Sequence, residues 1–222
     1  MSSSYKFIPY SKETYSVEEM QKRSKEFYEW ANKRRTVRDF SSKEIPQEVI
    51  DNILLTANTA PSGANKQPWT FCVVTDAEIK KTIRVEAEKE EKASYENRMS
   101  EEWLEDLMAI GTDWQKPFLE IAPALIIVFK RSFETMPDGK KRQNYYVMES
   151  VGLACGFLLM AIHHAGLVAL THTPSPMNFL AKILSRPENE KPFLLIPIGY
   201  PTENTTVPDI QRKKLEEIKV KY

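Results

Sequence analysis

Arg34-Arg35-Thr36-Val37-Arg38 gathers three guanidinium groups and a hydroxyl within five residues. Guanidinium forks bind oxyanions through paired donors and keep their charge when desolvated, so the natural ligand of such a run is a phosphate. One predicted helix later, residues 60–69 read Ala-Pro-Ser-Gly-Ala-Asn-Lys-Gln-Pro-Trp. That stretch offers a turn, a small backbone that a flat ligand can approach, and an aromatic wall. Together the two runs predict a site for a phosphorylated planar cofactor. A third set is Glu91 and Tyr95, spaced i, i+4 on one helical face, followed by Lys116 after a break near Gly111. On spacing alone these three read as a charged surface, and Arg34 and Arg38 as a solvated helix end near its negative dipole.

The elements that must position these residues follow from periodicity and punctuation. Ser16-x-x-Glu19 is a capping box and opens a helix toward Arg35, with Met20, Phe27, Trp30 and Ala31 forming an apolar face. Pro46 begins a second helix through Ile50, Ile53, Leu54 and Ala57. Residues 69–74 read as a β-strand, and Thr75-x-x-Glu78 as the cap of the next helix. From 86 to 119 the composition shifts to dense charge and then scattered aromatics and methionines, as expected of amphipathic helices forming a cover. Residues 123–130 form an apolar strand fit for a sheet covered on both faces, and 136–141 a turn-rich loop. The span 145–165 is apolar almost all round, a helix buried in the domain or between subunits, with Gly166 as its stop. Residues 167–171 read as a strand and 178–184 as a short helix. Residues 193–198 read as a strand near a sheet edge, because Pro197 cannot donate to a ladder. The tail, 201–222, is polar and predicted to dock on another surface. Alternating strands and dominant helices indicate an α/β or α+β sandwich built around one sheet.

Composition sets the outer bounds. The chain has 222 residues, enough for one domain with a sizeable core. Lys and Arg number 31 against 31 Asp and Glu, so no bulk field draws it to nucleic acid or anionic membrane. No apolar run reaches the roughly 18–20 residues of a membrane span; the longest, 150–170, carries His163 and His164. Residues 1–10 lack a signal-peptide core. Cys72 and Cys155 lie in apolar surroundings and read as free thiols of a reducing cytoplasm. The adjacent His163 and His164 point to different sides of a helix, so no metal site is expected.

Arg34-Arg35-Thr36-Val37-Arg38-Asp39-Phe40, with Pro61-Ser62-Gly63-Ala64-Asn65-Lys66-Gln67-Pro68-Trp69-Thr70-Phe71, resembles the FMN-dependent nitroreductase superfamily. Within it the chain is most similar to the iodotyrosine deiodinase family. Further carriers are Thr59-Ala60, the run 91–116, Ala154-Cys155-Gly156, Ala165-Gly166-Leu167-Val168, Gly199-Tyr200-Pro201 and Thr206-Val207-Pro208-Asp209. The likeness covers about residues 20–222. It implies an α+β fold: a nitroreductase-like three-layer sandwich with a mixed central sheet flanked by helices, in an intertwined homodimer. It implies one FMN domain over 1–222, an active-site lid at 86–119 and a C-terminal extension, 201–222, packing on the partner. Animal members carry an N-terminal membrane anchor; its lack here implies a soluble, cytoplasmic form.

Carried over by position, the resemblance assigns FMN to Arg34, Arg35, Thr36, Val37 and Arg38, with Arg212 as a further cation. Ser62 would reach the flavin of the partner subunit. Thr171, His172 and Thr173 would line the isoalloxazine, with the Thr173 hydroxyl donating to flavin N5. His172 stands where a threonine is usual, which leaves its side-chain role open. Glu91, Tyr95 and Lys116 would grip the amino acid end of a halotyrosine, and the Ala64 N–H would bind its phenolate oxygen. The implied activity is reductive dehalogenation to tyrosine and halide, by single electrons from reduced FMN supplied by an external reductant. Two alternatives stay open: a general NAD(P)H-dependent nitro or quinone reductase, and a flavin-binding protein without catalysis.

Overall fold

The computed structural model describes residues 6–222; residues 1–5, part of the stretch read for a signal sequence, lie outside the described residues. Backbone contacts separate a unit ending at Arg34 from a larger unit over residues 35–222. The first carries α1 (Val17–Asn32), capped as expected: the Ser16 hydroxyl accepts from the Glu19 N–H at 3.2 Å. None of the α1 side chains is buried, and Met20, Phe27 and Tyr28 are exposed. Of the apolar face read from its spacing, Met20 and Phe27 are exposed and Trp30 and Ala31 half-buried.

The larger unit is built on a four-stranded sheet in the order β1-β2-β6-β5. Its strands are β1 (Trp69–Val74), β2 (Ala124–Arg131), β5 (Val168–Ala169) and β6 (Glu190–Gly199). Each pairing between these strands is antiparallel. The parallel contribution to the expected mixed sheet is an isolated bridge between Thr36 and Ala169. β2 shows why the fold has three layers. Its side chains alternate between two cores: Ala124, Ile126 and Val128 on one face, Leu125, Ile127 and Phe129 on the other, all buried. α2 (Gln47–Asn58) and α6 (Val147–His164) cover the first face, and α3 (Ala77–Asn97), α5 (Phe118–Ile121) and α7 (Asn178–Ile183) the second.

Several expectations are corrected in detail. The cap of α3 is Asp76, whose carboxylate accepts from the Ile79 N–H at 2.9 Å, not Thr75. β6 is a central strand, not an edge strand. It tolerates Pro197 because of where that residue faces. The Leu195 N–H donates to the His172 carbonyl at 3.0 Å, so position 197, two residues on, faces the same side. There the ladder is interrupted between the His172 bridge and the two-residue β5, and no donor is required. The 136–141 loop is the turn of a small hairpin, β3 (Phe133–Thr135) with β4 (Lys141–Gln143). The charge-rich run from 86 does not open a new element; α3 passes straight through it, followed by α4 (Glu101–Ala109). Gly111 at φ +66° ends that second helical stretch.

α6 is half covered. Ser150, Val151, Ala154, Cys155, Leu158 and Ile162 are buried, whereas Met148, Leu153 and Phe157 are exposed on the other side, with Gly152 and Gly156 between them facing open space. At 18 residues and mean hydropathy 1.4, α6 is long and apolar enough to cross a membrane by length and composition, contrary to the reading of the sequence. Both cysteines are free thiols. The tail ends in one turn, α8 (Leu215–Ile218), and is exposed throughout that turn.

Candidate active site

Four segments of the larger unit supply the predicted site residues other than Arg34, which ends the first unit. The first is the arginine stretch. Val37 is buried, and its N–H donates to the Ala169 carbonyl at 3.2 Å, which zips residues 36–37 against β5. This places the stretch beside the segment that continues into Thr171, His172 and Thr173. The Arg35 guanidinium donates to the Pro208 carbonyl and so ties the C-terminal segment, four residues before Arg212, to the same region. Arg38 is half-buried, and burial lowers its pKa. Among the described residues no carboxylate forms an ion pair with it. A buried-side cation without an anion is a site short of negative charge. Arg34 follows the end of α1, its N–H donating to the Ala31 carbonyl at 3.1 Å.

The second segment is the 62–67 loop. Ala64, Asn65 and Gln67 all adopt positive φ, near +50°. The Ser62 hydroxyl holds this shape by accepting from the Gln67 N–H at 2.9 Å, while the Asn65 and Lys66 N–H groups close onto the Ser62 and Gly63 carbonyls. The Ala64 N–H takes no part in these closures. Gly63 is required by close approach: a Cβ there would stand 2.8 Å from the Tyr146 ring and 3.0 Å from the Tyr145 carbonyl.

The third and fourth segments meet in one cluster. The Lys116 ammonium lies 3.7 Å from the Glu91 carboxylate, donates to the Thr112 hydroxyl at 3.2 Å, and donates to the Asp113 carbonyl. The Tyr95 ring lies 5.7 Å from that ammonium, and its hydroxyl donates to the Thr112 carbonyl at 3.4 Å. Lys116 is also held by its backbone. Its N–H donates to Glu88 at 2.7 Å, and Glu88 in turn pairs with Arg84 at 2.9 Å. Burial raises the Glu91 pKa against the pull of Lys116, and lowers the Lys116 pKa against the pull of Glu91 and Asp113. Each charge is thus only partly compensated by the other.

The 171–173 segment divides its side chains. Thr171 and Thr173 are exposed, and His172 between them is buried. Strand alternation explains this, because His172 forms a two-way bridge with Leu195. Its ring stands edge-on to Phe118 at 5.7 Å, and its Nε2 lies 3.9 Å from Glu91. The imidazole therefore faces the Glu91–Lys116 cluster, away from the surface that Thr171 and Thr173 occupy. Burial, aided by the positive charges of Lys116 and Arg38, pushes its pKa down to about 3. The structure thus brings Glu91, Tyr95 and Lys116 together, as the resemblance implied and not as the charged surface that spacing alone gave. It adds Glu88, Thr112 and Asp113, which no sequence motif singled out, although the Arg84/Glu88 spacing of i, i+4 was visible. Among the described residues no group of three His, Cys, Asp or Glu side chains forms a metal site.

Residues 31–200 match the model of the nitroreductase family. Iodotyrosine deiodinase of Haliscomenobacter hydrossis is 64% identical over 97% of this chain and 97% of its own length. Human iodotyrosine deiodinase 1 is 48% identical, over 96% of this chain and 74% of its own. A crystal structure of oxidised iodotyrosine deiodinase bound to FMN and 3-iodo-L-tyrosine superposes with a TM-score of 0.75 at 36% identity, covering 88% of this chain and 97% of that one. The chain belongs to the nitroreductase family, and within it to the iodotyrosine deiodinases.

Proposed function

We propose that this protein is an FMN-dependent reductive dehalogenase of halotyrosines, converting iodotyrosine to tyrosine and iodide. One observation carries the reading: an acid and a base, Glu91 and Lys116, are buried side by side with Tyr95 and are incompletely satisfied by each other. An α-amino acid zwitterion supplies what each lacks, an ammonium for the carboxylate and a carboxylate for the ammonium. The four charges then alternate and the net charge of the pocket does not change. A bare phenol or nitroaromatic has neither group, so the cluster selects the amino acid.

The residues present fit FMN. The half-buried Arg38, which among the described residues forms no ion pair with a carboxylate, stands beside Arg35 and Thr36 and matches the need of a phosphate dianion. The 62–67 loop, left-handed at Ala64, Asn65 and Gln67 and crowded against Tyr145 and Tyr146 at Gly63, and the exposed Thr171 and Thr173 suit the approach of a flat ring. In this reading Arg34, Arg35, Thr36, Val37, Arg38 and Arg212 hold the phosphate and one flavin edge, Ser62 reaches the partner's flavin, and the Thr173 hydroxyl donates to N5. When bound, FMN supplies the two electrons of the reaction. The net change replaces a carbon–iodine bond by carbon–hydrogen: two electrons and one proton enter, and iodide leaves.

The chain's own residues do the rest. Glu91, Tyr95 and Lys116 anchor the amino acid end. The Ala64 N–H donates to the phenolate oxygen, which leaves the iodine-bearing carbon beside it as the proton acceptor. The cover formed by residues 86–119 excludes water once the zwitterion is in place.

A second copy of the chain completes the site. The bare face of α6, the exposed apolar side chains of α1 and the exposed end of the tail, 209–222, are the surfaces it would use. Free Cys72 and Cys155 suit a reducing cytoplasm. The test is an anaerobic one. The FMN-loaded protein is reduced with dithionite and mixed with iodotyrosine; the expected result is flavin reoxidation with one tyrosine and one iodide per FMN. Reoxidation by nitroaromatics and not by iodotyrosine would replace the reading with a general reductase.

A further inference from the structure

His172 is a buried titratable side chain of the site, and nothing in the dehalogenation chemistry above uses it. Its position is fixed from the main chain. The His172 N–H donates to the Leu195 carbonyl at 2.8 Å and its carbonyl accepts from the Leu195 N–H at 3.0 Å. The ring is held edge-on by Phe118. Its Nε2 is buried and has no hydrogen-bond partner. Proteins seldom bury a polar atom without giving it one, and such an atom calls for an explanation. The acceptor in front of it is Glu91 Oε1, at 3.9 Å, while the other carboxylate oxygen, Oε2, faces Lys116 at 3.7 Å.

The two segments are also aligned at a second point. The Ser175 carbonyl accepts from Arg98 at 3.3 Å and from the Ser94 hydroxyl at 3.5 Å, both from the end of α3 that carries Glu91. The approach of His172 to Glu91 is therefore part of a two-point seam between α3 and the 172–175 segment.

We propose that His172 is a positioning residue for the substrate's ammonium: with its proton on Nε2, it donates to Glu91 Oε1 and aims the ionised carboxylate at the bound amino acid. The proposal rests on the reading of Glu91 as the ammonium site. In the free protein Lys116 occupies the other oxygen. When Lys116 turns to the substrate carboxylate, Glu91 is released from it, and a movement of about 1 Å brings Oε1 within hydrogen-bond reach of Nε2. The charged groups facing the imidazole are Glu91 from α3, Lys116 from the segment before α5, and Arg38 from the arginine stretch. Burial, aided by Lys116 and Arg38, keeps the ring neutral. A neutral donor steadies Glu91 without a positive charge that would compete with the ammonium for it; a lysine or arginine in this place would fill the site itself.

The experiment uses FMN-loaded protein and follows flavin absorbance during titration with iodotyrosine and with desamino-iodotyrosine, which lacks only the ammonium. His172→Leu removes the donor at similar volume, and His172→Gln keeps an N–H. The expected result is a loss of about tenfold in iodotyrosine affinity for His172→Leu, with desamino-iodotyrosine affected less than about twofold, and recovery of most of the loss in His172→Gln. In a Glu91→Gln background, His172→Leu adds no further loss. Should His172→Leu not fold, His172→Met takes its place against His172→Gln. Equal losses for both ligands, or iodotyrosine binding within twofold of the parent protein, overturns the proposal. A parent protein that binds both ligands equally overturns the ammonium-site reading instead, so the two failures are distinguishable.

Discussion

The Glu91 carboxylate and the Lys116 ammonium stand 3.7 Å apart with side chains 11% and 4% exposed, a separation too long for a charge-assisted hydrogen bond. A raised Glu91 pKa means stability that is lost as pH rises through that pKa. A lowered Lys116 pKa means stability that is lost as pH falls through it. Between those two pKa values the burial of each charge diminishes the stability of the free fold. Glu91→Gln combined with Lys116→Met should therefore melt no lower than the parent, by calorimetry without substrate, while iodotyrosine binding disappears. A melting temperature several degrees below the parent would show that the pair is structural.

The single substitutions should behave differently. Glu91→Gln or Lys116→Met leaves one substrate charge unpaired in a dry site. Each should weaken iodotyrosine binding by about 2–3 kcal/mol, roughly 30- to 160-fold, in flavin-monitored titration. The affinity of the parent should also fall at higher pH on the acid side than an ordinary glutamate would produce, because burial raises the Glu91 pKa. On the alkaline side it should fall at lower pH than an ordinary lysine would produce.

His172 gives the fold an acid weakness. Below about pH 6.5 the unfolded chain takes up a proton at this residue that the folded protein refuses down to about pH 3. This group alone should remove up to about 1.4 kcal/mol of stability per pH unit across that window. Denaturant melts of parent and His172→Gln between pH 7 and 4 should diverge with falling pH, the variant losing less. Parallel pH dependences would refute this.

Gly63→Ala should act on the 62–67 loop. The new methyl would meet the Tyr146 ring at 2.8 Å and the Tyr145 carbonyl at 3.0 Å. The ring can swing aside, but the carbonyl can yield only by moving backbone, so the Ala64 N–H is displaced. A fall of about tenfold or more in kcat/KM for iodotyrosine is expected. Unchanged turnover would remove Ala64 from the phenolate site.

Leu153→Glu places a charge on the bare face of α6, among Met148, Phe157, Gly152 and Gly156. Light scattering should show a monomer in place of a dimer, and FMN should be lost on desalting. A dimer that retains its flavin would move the partner surface elsewhere.

Much of the frame was legible because it is local. The period of residues 69–74 and the apolar run at 124–129 specify strands whatever surrounds them, and the i, i+4 spacing of Glu91 and Tyr95 survives in α3. What failed was non-local. Thr75 and Asp76 are both good caps, and the choice between them depends on the angle at which the chain enters α3. Pro197 argued for an edge, yet its missing donor falls where β5 is too short to accept a bond. The inward turn of His172 is set by Leu195, 23 positions further along, as the two residue numbers show. The apolar face of α1 was visible, but no pattern within one chain says what covers it.

α3 passes unbroken through the charge-rich run at 86–92. Its first half is rooted in the second core by Ile83 and Ala87 and by the Lys80 ammonium on the Ala122 carbonyl at 2.8 Å; its far end carries Glu91 and Tyr95. From Ala87 to Asn97 this is an arm of about 15 Å, tied at its far end to the Ser175 carbonyl through Ser94 and Arg98. Its tip can be re-lettered for a different amino acid without disturbing the root. Whatever breathing admits the ligand must then loosen the bonds of that far end to Thr112 and Ser175, and not turn on a hinge at the base.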